Sequence, residues 1–196
     1  MNHIIYRKSN KNEAYQLAVQ KKIANGGIIE FLLHDLIPGM TVTQILSEIV
    51  ANEAFNYSYK NCIVAERNGQ VVGHANFYPS DTSHSQSEPE IIPQNRLDYL
   101  AEMFSAEVPG SLYLNSIAVF PEARRNKIGS ELLSIVKVQA KKQNLNQVSL
   151  LVWADNFIAR KFYENHGFKI IRRIQIKPHE FLPHQDGMLL MNCVMD

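Results

Sequence analysis

Between Leu112 and Val119 the chain can be read as an extended ribbon. Leu112, Leu114, Ser116 and Ala118 fall on one face, and Tyr113, Asn115, Ile117 and Val119 on the other. That period of two predicts a strand packed on both sides, and Pro121, with no amide to give to a ladder, stops it. The period then changes. Ile128, Leu132, Leu133, Val136 and Ala140 recur at spacings of three and four, the stripe of an amphipathic helix. A strand over Val148–Trp153 and a helix ending at Gly167, read as the left-handed residue that closes it, complete a strand–turn–helix–strand–helix unit over residues 112–168.

The flanking segments follow the same logic. Residues 3–7 predict a short opening strand, and residues 13–23 a helix carrying Ala14, Leu17, Ala18 and Lys21, terminated by Gly26-Gly27. Residues 28–37 predict a second, strongly apolar helix. Thr41 or Thr43 caps a third, with Val42, Ile45, Leu46, Ile49 and Val50 as its stripe. Residues 61–66 and 70–78 predict a hairpin turned by Asn68-Gly69. A polar, proline-bearing stretch over 79–94 is expected to be irregular, and residues 95–106 resume a helical pattern closed by Pro109-Gly110. Residues 169–176 and 187–195 predict two last strands. The final one is apolar on both faces apart from Asn192, so it needs cover on both sides, from within the domain or from a second copy in a homodimer.

Composition narrows the classes without choosing among them. A chain of 196 residues, 45% hydrophobic and 20% charged, suits one soluble domain spanning 1–196. A net charge of +1 gives no global attraction to nucleic acid or membrane, and no Gly-x-x-x-x-Gly-Lys loop is present for a nucleotide. Neither a secretory leader nor a membrane-spanning run is evident, so a cytoplasmic protein is expected. Cys62 and Cys193 read as buried thiols in strands. Nothing in the neighbouring sequence marks Cys62 as a nucleophile, and the histidines show no metal-ligand spacing.

The chemistry gathers around the turn that opens the helix after Pro121. Arg124, Arg125, Asn126, Lys127, Ile128, Gly129 and Ser130 place three cations, a glycine and a hydroxyl at a helix N-terminus, a ready anion site. Arg124-x-x-Lys127-x-Gly129 resembles the Arg/Gln-x-x-Gly-x-Gly/Ala turn of the GNAT superfamily of acyl-CoA-dependent N-acyltransferases. Asn156-x-x-Ala159-x-x-x-Tyr163-x-x-x-Gly167-Phe168 resembles the asparagine, tyrosine and Gly-Phe pattern that follows in that family.

The resemblance implies an α/β fold with a mixed, mostly antiparallel sheet, a parallel strand pair at the CoA cleft and flanking helices. It also implies that residues 79–110 are an insertion, and that the activity is N-acetyl transfer from acetyl-CoA, with no metal, to a primary amine of a small molecule or peptide attacking directly. The CoA pyrophosphate would lie on residues 125–130, with Lys137, Lys141 and Lys142 as further cations. Ile117, Ala118 and Val119 would meet the thioester, one of their amides polarising its carbonyl. Asn156 and Ala159 would flank the pantetheine arm, and Tyr163 would protonate the departing thiolate. Lys127 replaces the family glycine and is expected to take helical backbone angles while adding charge.

The residue that takes the amine proton stays open among Glu107, Glu122 and a water ordered by Asn115, because the central strand carries Asn115 and Ser116 where family members often carry a glutamate. The acids Glu88, Glu90, Asp98, Glu102 and Glu107 would favour a cationic acceptor if the insertion lids the site. His74 is expected to be packed and His166 to be a helix-end cation. A non-catalytic acyl-CoA sensor remains the alternative.

Overall fold

A computed structural model describes residues 3–80 and 89–195. Glu88 therefore lies outside the described residues. Seven strands, β1 (Ile4–Lys8), β2 (Cys62–Arg67), β3 (Gln70–Pro79), β4 (Leu112–Val119), β5 (Gln147–Trp153), β6 (Lys169–Ile174) and β7 (Met188–Val194), form one sheet in the order β1-β2-β3-β4-β5-β7-β6. Every pairing is antiparallel except that of β4 with β5. The expected mixed sheet with one parallel pair is what the chain forms. Asn68 and Gly69 both have positive φ, 53° and 77°, so β2 and β3 are joined by the two-residue turn whose twist matches that of the strands.

One face of the sheet is covered by α1 (Ala14–Ala24), α2 (Ile28–Leu33) and α3 (Val42–Ala51), together with α4 (Gln94–Tyr99) and α5 (Ala101–Phe104) from the stretch between β3 and β4. The other is covered by α6 (Ile128–Lys142) and α7 (Phe157–Asn165). Thr41 supplies the cap of α3, with Gln44 bonding back to the Thr41 amide. Two predicted helices come out shorter. The second stops at Leu33, because His34 turns extended and Asp35 is left-handed at φ 52°. The Arg96 guanidinium donates to the carbonyls of Leu32 and His34 there. The helix predicted over 95–106 breaks at Leu100, where the Leu100 amide bonds back three residues to Leu97.

Strand β7 lies between β5 and β6. Met188 is buried with the α1–α3 core and Leu189, Met191 and Cys193 with the α6 core. Its two apolar faces are covered within the chain, so the apolar pattern of β7 calls for no second subunit. Among the described residues no helix is long and apolar enough to cross a membrane.

Candidate active site

The site begins as a defect in β4. Asn76 pairs with Ser116 but Phe77 pairs with Leu114, so Asn115 is an extra residue, a β-bulge. The bulge resets the alternation. Leu112 and Leu114 pack with the α6 core, and so do Ile117 and Val119, rather than Ser116 and Ala118 as an unbroken strand would have it. The two-faced pattern read from the sequence is therefore correct only up to Leu114. Asn115 and Ser116 both turn toward the α1 side.

The same strand parts from its other neighbour. β4 pairs with β5 only at Leu112↔Val148 and Tyr113↔Ser149, and beyond these the two strands separate. The Phe120 amide donates to Val72 O, and in an antiparallel ladder the inward amides alternate. The amides of Ser116 and Ala118 thus face β3, and those of Ile117 and Val119 face the gap.

A cavity of about 1310 Å³ occupies that gap. Its lining includes Ile117, Ala118, Val119, Arg124, Arg125, Lys127, Ile128, Gly129, Ser130, Asn156, Ala159 and Tyr163. On the α1 side it continues past Asn115, Ser116, Tyr57, Tyr78, Tyr113 and Trp153 to Glu90, Asp98 and Glu107. Of the residues expected at the site, Asn126 is not on this wall; its side-chain amide donates to the carbonyls of Ala123 and Arg124 and holds the turn. Glu102 and Glu122 do not line it, nor do the three lysines of α6. Lys137 donates to His166 O at 2.6 Å and sits over the Phe168 ring.

The turn before α6 differs from expectation in its backbone. Lys127, the N-cap, has φ 59° and ψ 8°, and Arg125 has φ 63°. Lys127 is therefore left-handed, not helical, the conformation in which glycine is free of strain. No side chain caps α6, so the first-turn amides of Ile128, Gly129 and Ser130 are not spent on a capping group. Gly129 lines the cavity, and a Cβ there would meet Phe162 at 3.6 Å, an ordinary contact. Unpaired amides, a positive helix end and three cations fit a pyrophosphate. Relief of the strain is measurable: Lys127→Gly is expected to stabilise the fold by about 1 kcal/mol in denaturant titration, and Lys127→Ala is not.

Asn156 is the N-cap of α7, its Oδ1 accepting from the Ala159 amide at 3.1 Å, which leaves its NH₂ for a ligand. Tyr163 is buried between the rings of Phe162 and Phe168, and its hydroxyl has no hydrogen-bond partner among the described residues. Burial pushes its pKa well above the usual phenol value, so it stays protonated. Gly167 closes α7 at φ 87°, and Phe168 is core. His166 is tied at both ring nitrogens, to Phe162 O at 2.7 Å and to Ser130 Oγ at 3.1 Å, rather than standing free at the helix end.

Three further features bear on the site. Tyr113 lines the cavity with its pKa pushed up, first by burial and then by Glu107 and Tyr163. Lys21 is wholly buried beside Cys62. Burial drives the lysine pKa down and the thiol pKa up, each opposed by the other. Cys62 thus has a basic neighbour after all, from α1, but no exposed thiolate.

The third is His74, packed as expected and with no exposed surface, bonded to Gln20 and Ser116. Burial, and then the Lys21 charge, hold its pKa well below 6.5. The folded state therefore refuses a proton that the unfolded chain accepts below that value. Stability is expected to fall by about 1.4 kcal/mol per pH unit as pH drops below ~6.5, until the folded imidazole itself protonates. Urea titrations from pH 7.5 to 5 measure this slope, and His74→Gln flattens it.

The model of the acetyltransferase (GNAT) family matches residues 29–168, and the chain belongs to that family. Solved structures share its fold over nearly the whole length. One acetyltransferase superposes with a TM-score of 0.72 at 23% identity, covering 98% of this chain and 100% of its own. An N-acetyltransferase from Staphylococcus aureus Mu50 gives 0.68 at 16%, covering 95% and 99%. The PaiA N-acetyltransferase from Thermoplasma acidophilum, solved in complex with coenzyme A, gives 0.54 at 13%, covering 98% and 99%.

Proposed function

We propose that this protein transfers an acetyl group from acetyl-CoA to the primary amine of a small molecule or peptide, by direct attack with both substrates bound. The observation that carries the reading is the parting of β4 from β5, which leaves two strand amides facing one cavity shared by the α6 turn and the α1-side chamber.

Each part of the reaction then has residues. The first-turn amides of α6 with Arg124, Arg125 and Lys127 take the CoA pyrophosphate. The Asn156 NH₂ and the small Ala159 side chain border the pantetheine arm. The amides of Ile117 and Val119 meet the thioester oxygen, where negative charge develops; one such donor contributes ~3 kcal/mol to the transition state. The amine attacks from the α1 side, the C–N bond forms and the C–S bond breaks. The thiolate leaves with the Tyr163 proton while the amine gives up its own to solvent, which Asn115 helps to order, and Tyr163 recovers a proton from solvent as the products leave.

Residues 89–110, from the stretch between β3 and β4, serve as a lid on the acceptor side of the cavity. Glu90 and Asp98 on the cavity wall favour an acceptor with a second positive charge. Asp98→Lys is expected to raise KM for spermidine by about tenfold and leave that for a neutral-tailed amine such as tyramine within about twofold, in assays at low salt. Equal KM values for spermidine in both proteins would remove the lid from substrate selection.

CoA thiol release from acetyl-CoA, measured with spermidine, glucosamine, lysine, tyramine and a short peptide, tests the activity. Amine-dependent release is the expected result. Acetyl-CoA raising the melting temperature with no release by any amine would instead favour a sensor that binds without turnover.

A further inference from the structure

We propose that Ser116 and Asn115 receive the N–H groups of the attacking amine, and that His74 and Gln20 fix Ser116 in the role of acceptor. This rests on the acetyltransferase reading above and assigns the amine half of that site.

Gln20 offers an amide oxygen, which can only accept. It lies 2.8 Å from His74 Nδ1, so Nδ1 carries the ring proton. In the neutral ring Nε2 is then a bare lone pair. Ser116 Oγ, 3.0 Å away, must donate its proton to it. The hydroxyl is thus turned with its hydrogen inward, and its own lone pairs are left for whatever enters the cavity that Ser116 lines. All three residues are buried, Gln20 at 1%, His74 at 0% and Ser116 at 6% exposure, so water does not scramble the arrangement.

The β4 bulge sets a second acceptor beside the first. Asn115 turns to the same side and lines the cavity, and its Oδ1 is buried without a hydrogen-bond partner among the described residues. A buried carbonyl oxygen without a donor is costly unless a ligand supplies one. A primary amine supplies the complement: N–H groups for two acceptors and a lone pair on the opposite side. Held by Ser116 and Asn115, the nitrogen presents that lone pair to the gap, where the amide of the next residue, Ile117, awaits the carbonyl. His74 does not take the proton itself, since a charged imidazole beside Lys21 and away from water is disfavoured; it positions the residue that touches substrate.

Steady-state kinetics with the fastest amine of the same panel tests this. Ser116→Ala is expected to raise the amine KM about tenfold or more, with the acetyl-CoA KM unchanged. Ser116→Thr, which keeps a hydroxyl, is expected to recover most of the loss. His74→Leu reproduces the Ser116→Ala effect by freeing the hydroxyl to turn, and His74→Gln, which offers Ser116 an amide oxygen in place of Nε2, recovers it. Thermal melts of each variant separate folding from binding, since a merely structural role for His74 would shift the melt and spare the split between the two KM values. Wild-type turnover with Ser116→Ala leaving the amine KM unchanged, or moving both KM values together, would overturn this assignment and leave the acetyltransferase reading standing. Acetyl-CoA binding with no turnover by any amine would overturn both.

Discussion

Tyr163→Phe is expected to lower kcat by about 10²-fold, with the KM for acetyl-CoA changed by less than about threefold. The phenol packs between Phe162 and Phe168, which a phenylalanine reproduces, so the variant folds. Only the hydroxyl is lost, and in the free protein that hydroxyl holds nothing together. Burial keeps it protonated through the neutral range, so it is always ready to donate and never competes as a base. Losing a positioned general acid costs 10²–10⁴ in rate, and the lower end applies because a thiolate leaves with less help than an alkoxide. The measurement is kcat for CoA release by stopped assay in both proteins. An unchanged kcat would mean that the leaving thiolate is protonated by water and that Tyr163 is core.

A second large effect is expected far from the gap. Gly27, at φ 93°, starts α2, and a Cβ there would lie 2.0 Å from the Phe181 carbonyl oxygen. Gly27→Ala therefore meets both a left-handed backbone and a backbone clash that no side-chain rotation relieves. A loss of about 3 kcal/mol or more is expected in urea unfolding. The site is affected too. Gly27 joins Ile28, a cavity residue, to the 181–184 loop, where His184 stacks on Trp153 at 4.6 Å. Movement there is expected to raise the amine KM while leaving acetyl-CoA binding intact. A variant as stable as the wild type would show that the loop yields freely.

The half of the cavity proposed to take CoA was legible because its residues lie close together in the sequence. Arg124 to Ser130 sit on one turn, and Asn156, Ala159 and Tyr163 on one helix and its cap. The half proposed to take the amine was not, because it is assembled by β4 from elements far apart in the chain. Asn115 and Ser116 read as members of opposite strand faces, and only the pairing shift against Asn76 and Phe77 shows that a bulge brings them to one side. Gln20 and His74 lie 54 positions apart and meet only when α1 packs on the sheet. Lys21 fell on the apolar stripe of α1, a signal of burial that ordinary charge logic discounts. The backbone of Lys127 was misjudged for a related reason. A glycine takes a left-handed turn without strain, and a lysine in that conformation bears the strain.

In the proposed reaction the parted strands let acetyl pass from thioester to amine in one step. Initial velocities with acetyl-CoA and amine varied together test it most directly. Lines that intersect in double-reciprocal plots, with no acetylated protein detected by mass spectrometry in the absence of amine, are the expected result. Parallel lines with an acetyl group on Cys62, Lys21 or Ser116 would contradict it, and would make the buried group next to the gap a carrier rather than part of the wall.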